Sequence, residues 1–147
     1  MNGKRILLVE NSEDDADLAA RALRKGKGSY EVVVARDGAE ALDYVFGTGA
    51  YLGRDQRLLP ALIILDLKLS QIDGLEVLRR LRANARTQLI PIVILTASHD
   101  PQDVFMAYRL GANSYVCKPV NSNYFTEAVQ QIGQYWLVLN EALPAEL

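Results

Sequence analysis

The sequence predicts an α/β domain: a five-stranded parallel sheet, doubly wound, with helices on both faces. Two observations predict it. The runs Arg5-Ile6-Leu7-Leu8-Val9, Ala61-Leu62-Ile63-Ile64-Leu65 and Ile92-Val93-Ile94-Leu95 are apolar without polar alternation, as strands buried on both faces are. Stretches with helical apolar spacing lie between such runs, so strand and helix alternate five times. With 147 residues, half of them hydrophobic, the chain can bury a sound core as one domain.

The elements follow in order. The first strand covers about 4–9. Ser12 is placed to cap the next helix, with Glu13, Asp14 and Asp15 in its first turn, Leu18, Ala19, Ala22 and Leu23 as its stripe, and Lys25-Gly26-Lys27-Gly28 as its stop. Tyr30 to Ala35 is the second strand. Asp37-Gly38 opens a helix with Ala39, Ala41, Leu42, Val45 and Phe46 inward. Residues 47–57 are rich in glycine and charge and long for an α-to-β connection, so they are expected to be irregular. The third strand ends on Asp66. After a loop at 70–74, Leu75, Val77, Leu78 and Leu81 stripe a helix to about Asn84. Pro91 begins the fourth strand, where no ladder bond is lost. A helix over 101–110 stops at Gly111. Ser114 to Cys117 is the fifth strand, and Asn121 or Ser122 caps a helix with Phe125, Val129, Ile132 and Trp136 on one face.

In parallel α/β sheets ligands bind beyond the carboxyl ends of the strands. Glu10 and Asn11 follow the first strand, Asp66 the third, Thr96 the fourth and Lys118 the fifth, so all five converge on one rim. Any one of them alone is a helix cap, a loop carboxylate or an ordinary turn. Together they make a set of oxygen ligands suited to Mg²⁺, with a fixed cation beside it. Thr96 adds a hydroxyl and Ala97 a backbone N–H. The set forms a cradle for a phosphoryl group carried by Asp66, whose carboxylate acts as nucleophile while metal, lysine and donors stabilise charge.

The totals exclude other classes. A net charge of −2 gives no basic excess for nucleic acid. One cysteine and one histidine leave no internal disulfide and no cysteine or histidine metal cluster. No apolar run approaches the roughly 20 residues of a membrane span, and no signal peptide is recognisable, so a cytoplasmic protein is expected. The glycines at 47, 49 and 53 follow a helix and miss dinucleotide-loop spacing. Cys117 reads as a core residue and His99 as an exposed loop residue. The tail carries a different signal. A last helix with an inward apolar face runs straight into Tyr135-Trp136-Leu137-Val138-Leu139, more apolar surface than one monomer can hide. Residues from about 134 to 147, with Tyr135, Trp136, Leu137 and Leu139 as anchors, are expected at a homodimer interface that also uses the fourth helix, fifth strand and fifth helix.

The motifs Leu8-Val9-Glu10-Asn11, Leu65-Asp66-Leu67-Lys68-Leu69, Asp73-Gly74-Leu75-Glu76-Val77-Leu78, Leu95-Thr96-Ala97 and Tyr115-Val116-Cys117-Lys118-Pro119 together resemble bacterial two-component response-regulator receiver domains over residues 4 to about 133. The long loop from Gly47 to Pro60 and the aromatic tail are most similar to the single-domain regulators of cyanobacterial phytochromes. The resemblance implies a flavodoxin-like sheet in the order 2-1-3-4-5 and phosphoryl transfer to Asp66 from a sensor histidine kinase. It implies Mg²⁺ on Glu10, the residue at 11, Asp66 and the Lys68 carbonyl, with Thr96 and Lys118 on the phosphoryl oxygens. Tyr115 would be the aromatic switch, turning inward as Thr96 moves. Such a protein is a phosphoryl acceptor rather than an enzyme, with at most self-phosphotransfer and self-dephosphorylation, and signals by contacting another protein. One position departs from the family: Asn11 stands where a metal-touching aspartate is usual. Weaker Mg²⁺ binding is expected, and the alternative is a pseudo-receiver that signals without phosphate. An aspartyl phosphatase would need a second carboxylate two residues past the nucleophile, where Lys68 stands.

Overall fold

The computed structural model describes residues 4–26, 30–55 and 57–144. Five parallel strands, β1 (Lys4–Val9), β2 (Tyr30–Ala35), β3 (Leu62–Leu65), β4 (Ile92–Thr96) and β5 (Ser114–Cys117), form one sheet in the order β2-β1-β3-β4-β5. This is the flavodoxin-like arrangement. The chain reverses its direction of winding after β2, which puts helices on both faces. Alternate strand residues feed different layers. Ile6, Leu8, Leu62, Ile64, Val93 and Leu95 pack beneath α1 (Glu13–Arg24) and α5 (Ser122–Gln134). Leu7, Val9, Ile63, Leu65, Ile92 and Ile94 pack beneath α2 (Gly38–Phe46), α3 (Gly74–Ala83) and α4 (Pro101–Arg109). The three central strands are buried from end to end apart from the first residues of β1, as their unalternating composition requires.

Local chemistry sets the helix starts. Ser12, Asp37, Asp73, Asp100 and Asn121 are N-caps whose side chains accept backbone N–H groups of the first turn. Gly47 ends α2 in the left-handed conformation (φ 69°). Lys25 ends α1 within the predicted stop, while Lys27 and Gly28 of that stop lie outside the described residues, as do Gln56 of the long loop and the final three residues of the tail.

One stretch is irregular as expected but well held, and another differs from its sequence-based reading. After α2, a 3-10 turn at Gly49–Tyr51 is followed by Arg54, whose guanidinium donates to the carbonyls of Tyr44 (2.7 Å), Val45 (3.3 Å) and Leu58 (2.9 Å) and lies 4.1 Å over the Tyr44 ring. Tyr51 donates to Glu40 at 2.8 Å. At the other end of the chain, α5 widens into a π-helical turn, Tyr135–Leu139, closed by Asn140 N–H on the Tyr135 carbonyl. Widening spaces the apolar run unevenly. Leu137 turns into the α1/α5 core layer at 6 % exposure, and its carbonyl accepts from the Tyr30 hydroxyl at 3.5 Å. The expectation that Leu137 is an interface anchor is therefore corrected: it is a core residue of its own monomer. Trp136 leans on the same layer, while Tyr135, Val138 and Leu139 remain outside. No helix among the described residues is long and apolar enough to cross a membrane.

Candidate functional site

The carboxyl ends of β1, β3 and β5 bring together three of the predicted residues. Asp66 follows β3 directly, and its backbone N–H continues the ladder to the Val9 carbonyl (3.0 Å), so its side chain emerges where pairing stops. Glu10 is fixed the same way by its N–H on the Ala35 carbonyl (2.9 Å). From the end of β5, Lys118 is tied to β4 by its N–H on the Thr96 carbonyl (2.7 Å). Its ammonium then reaches Glu10 Oε1 at 2.7 Å and Asp66 Oδ2 at 2.8 Å. Glu10 is 2 % exposed and Asp66 5 %. The remaining oxygens are also held: Glu10 Oε2 accepts the Ser12 N–H at 3.1 Å, and Asp66 Oδ1 accepts the Lys68 N–H at 3.2 Å.

The third proton of the lysine goes to a residue that the motif reading did not place in the site. Asp15 Oδ2 lies 2.9 Å from Lys118 Nζ. Asp15 occupies the third position of α1, three residues past the Ser12 cap. In a helix the Cα–Cβ bonds tilt toward the N-terminus, so a first-turn side chain reaches back toward the strand ends. From the sequence, Asp15 is only one of three acids that favour the helix start. The available signal was its position in the first turn after a strand that ends in the site.

Charge and burial act against each other here. Burial pushes the Glu10 carboxyl up to about 6, although Lys118 and the Ser12 N–H oppose the rise. Burial pulls the Lys118 ammonium down, but hydrogen bonds to Asp66, Glu10 and Asp15 outweigh it and hold the group above the ordinary lysine value.

The other predicted residues sit around this centre. Asn11 is exposed, and its carbonyl accepts from Arg36 Nη2 at 3.1 Å. An open cleft is lined by Asn11, Leu67, Lys68, Ser70, Asp73 and Asp103. The Lys68 ammonium lies 3.7 Å from Asp103, outside the carboxylate trio. Thr96 is fully buried and its hydroxyl accepts the Ser98 N–H at 3.5 Å, while Ala97 is exposed. Tyr115 packs against the α2/α3/α4 core layer and donates to the Ser98 carbonyl at 3.0 Å. The Ser98 hydroxyl in turn donates to Asp103 at 2.6 Å. Gly74 permits the close approach of α3: a Cβ there would collide with the Asp66 carbonyl oxygen and the Leu67 backbone.

The donor set is chemically suited to a divalent ion. Carboxylates of Glu10 and Asp66, the Asn11 amide and backbone carbonyls are hard oxygen ligands. Among the described residues no three acidic, histidine or cysteine side chains surround one metal position, so neutral oxygens and water would complete such a shell.

Comparison with known proteins points to one family. The response regulator receiver domain model matches residues 6–130. The response regulator Rcp1 of Synechocystis sp. is 37 % identical over 134 residues, covering 91 % of this chain and 89 % of Rcp1. The crystal structure of its Mn²⁺-bound form superposes with a TM-score of 0.89 at 35 % identity, over 96 % of this chain and 99 % of that one. The phosphorylated cyanobacterial phytochrome response regulator RcpA gives a TM-score of 0.91 at 34 % identity, over 97 % of this chain and all (100 %) of that one. The bacteriophytochrome response regulator AtBRR is 46 % identical with a TM-score of 0.74, over 96 % of this chain and 100 % of that one. With the family model matching residues 6–130 and Rcp1 covered over most of its length, the chain belongs to the response regulator receiver domain family of two-component signalling.

Proposed function

We propose that the protein is a phosphoryl-accepting switch: Asp66 takes a phosphoryl group from a phosphohistidine of a sensor kinase of the phytochrome type. The observation that carries this reading is the Lys118 ammonium ion-paired at once to Asp66 and Glu10. An Asp66 oxygen bonds to phosphorus as the P–N bond breaks, and the electron pair leaves on the imidazole nitrogen. Lys118 stays beside the new acyl phosphate to balance its charge, with the Lys68 N–H, already on Asp66 Oδ1 at 3.2 Å, and the Ala97 N–H and Thr96 hydroxyl as further donors to the phosphoryl oxygens. Mg²⁺ would be held by Glu10, Asp66, the Asn11 amide and the Lys68 carbonyl, and supplies positive charge to the transferring group when bound. The Mn²⁺-bound Rcp1 and phosphorylated RcpA support this reading.

Output would pass through Thr96 and Tyr115. The Tyr115–Ser98–Asp103 chain of hydrogen bonds links the end of β4 to α4, so a shift at Thr96 is felt at the surface of α4. That surface exposes Phe105 and Tyr108, and the tail exposes Tyr135 and Leu139, with Trp136 edge-on to Tyr135 at 5.0 Å. Together with the other exposed side chains of the tail, Val138 and Leu143 among them, they form the face proposed for a homodimer and for an unidentified downstream protein in the cytoplasm.

Asn11 sets the strength of the metal site. Removing one charge beside a divalent ion forfeits about 2 kcal/mol with water-like screening, of which the amide oxygen recovers part. Asn11 also favours the second reading, a pseudo-receiver that signals without phosphate. Incubation with candidate kinases, with Asp66→Asn as control, decides between them. A switch becomes labelled on Asp66 and shifts conformation with beryllofluoride; a pseudo-receiver does neither.

A further inference from the structure

We infer that Asp15 is a positioning residue of the phosphoryl-acceptor site and carries the negative charge that Asn11 lacks. The inference rests on the reading of the rim as a metal and phosphoryl site. Glu10, Asp66 and Asp15 each contact Lys118 Nζ, at 2.7, 2.8 and 2.9 Å. With all three ionised and the lysine charged, the cluster carries a net charge of −2. Without Asp15 it would carry −1, and the ammonium would neutralise Glu10 and Asp66 most of the way, leaving little field for a divalent ion. Asp15 thus does two things. It restores the charge from one turn into α1, and it takes one of the lysine's three protons, which draws the ammonium toward the helix.

Two features of the site suit this role. Asp15 is held by its helix position, with its own N–H on Ser12 Oγ at 3.3 Å, so the carboxylate has no competing cap duty. Its side chain is also about a third exposed (34 %), unlike the buried Glu10, so it meets Lys118 from the solvent side of the cluster. When Mg²⁺ draws on the oxygens of Glu10 and Asp66, Asp15 remains as a counter-ion that keeps Lys118 at the rim.

Calorimetric titration of the full chain with Mg²⁺ alone tests the inference in four proteins: wild type, Asp15→Asn, Asn11→Asp and the double variant. Net charge orders them. Asp15→Asn, at −1, binds about five- to tenfold more weakly than wild type, the effect of one unit charge on a divalent ion across several ångströms of water-like screening. Asn11→Asp, at −3, binds most tightly. The double variant returns to −2 and recovers the affinity lost by Asp15→Asn. Asp15→Glu, which keeps the charge, binds as wild type does. A purely structural salt bridge would lower the melting temperature of Asp15→Asn without this ladder. Equal Mg²⁺ affinity for wild type and Asp15→Asn, or no recovery in the double variant, overturns the inference. An intact ladder with no labelling of Asp66 keeps it and defeats the acceptor reading; no Mg²⁺ binding by wild type defeats both.

Discussion

A single ammonium decides the chemistry of the rim. Lys118 stands between buried carboxylates that would otherwise repel each other, and both oxygens of Glu10 and of Asp66 have partners. Glu10 shows the cost of that burial. Its folded value of about 6 exceeds the ordinary 4.5, so between those values the folded protein holds a proton that the unfolded chain has lost. Stability contributed by this group is therefore present at low pH and is lost as pH rises toward 6, by roughly 2 kcal/mol at most. In metal-free protein, urea denaturation at pH 4.5 and pH 7 should show this fall in wild type and a smaller one in Glu10→Gln. Asn11→Asp adds a fourth carboxylate. It should lower metal-free stability by about 1 kcal/mol, the size of one unit-charge contact in water, and regain it on adding Mg²⁺. Thermal melts with EDTA and with Mg²⁺ read both effects. Most of this site is legible from residue types at strand ends, because several apolar runs of one parallel sheet stop on such residues together, where any one alone would be ordinary. Asp15 is not legible that way. Its contact depends on how α1 leans over the sheet, and a first-turn acid looks the same whether it caps a helix or holds a lysine.

Elements place these residues, and two of them are more constrained than their composition suggests. Gly74 starts α3 against the peptide that carries Asp66, and no side chain fits there. Gly74→Ala should cost about 1–3 kcal/mol, the usual range for overpacking, read as a lower urea midpoint. The turn after α5 separates two neighbours of similar chemistry. Leu137 lies in the core and Leu139 is 68 % exposed. Leu137→Ala should cost about 2–5 kcal/mol in monomer stability. Leu139→Ala should leave that stability nearly unchanged while weakening self-association, seen by sedimentation. The apolar run could not reveal this division, since uniform hydrophobicity has no period and the widened π turn re-aims the residues within Tyr135–Leu139. The long segment after α2 was equally opaque. Glycine and charge mark it as irregular, and Arg54 fastens it through three carbonyls and an aromatic face, most of them contributed by α2.

At the scale of the whole molecule, the sheet order follows from alternation of strand and helix with buried central strands, and the β2-β1-β3-β4-β5 order places every strand end on one edge. Periodicity and run length carry that information locally, which is why strand placement and helix faces were readable from residues alone. The exposed face of α4 and the tail carry no such local signature of what covers them. A homodimer through this face predicts a species near twice 16.3 kDa at micromolar concentration, and a sedimentation profile containing only the monomer would count against it. The central claim concerns the rim, and intact-mass measurement after incubation with Mg²⁺ and a small-molecule phosphodonor such as acetyl phosphate tests it most directly. The account predicts a gain of a single phosphoryl group, mapped to Asp66 and missing from Asp66→Asn. No gain in the wild type, or an equal gain in Asp66→Asn, would contradict it.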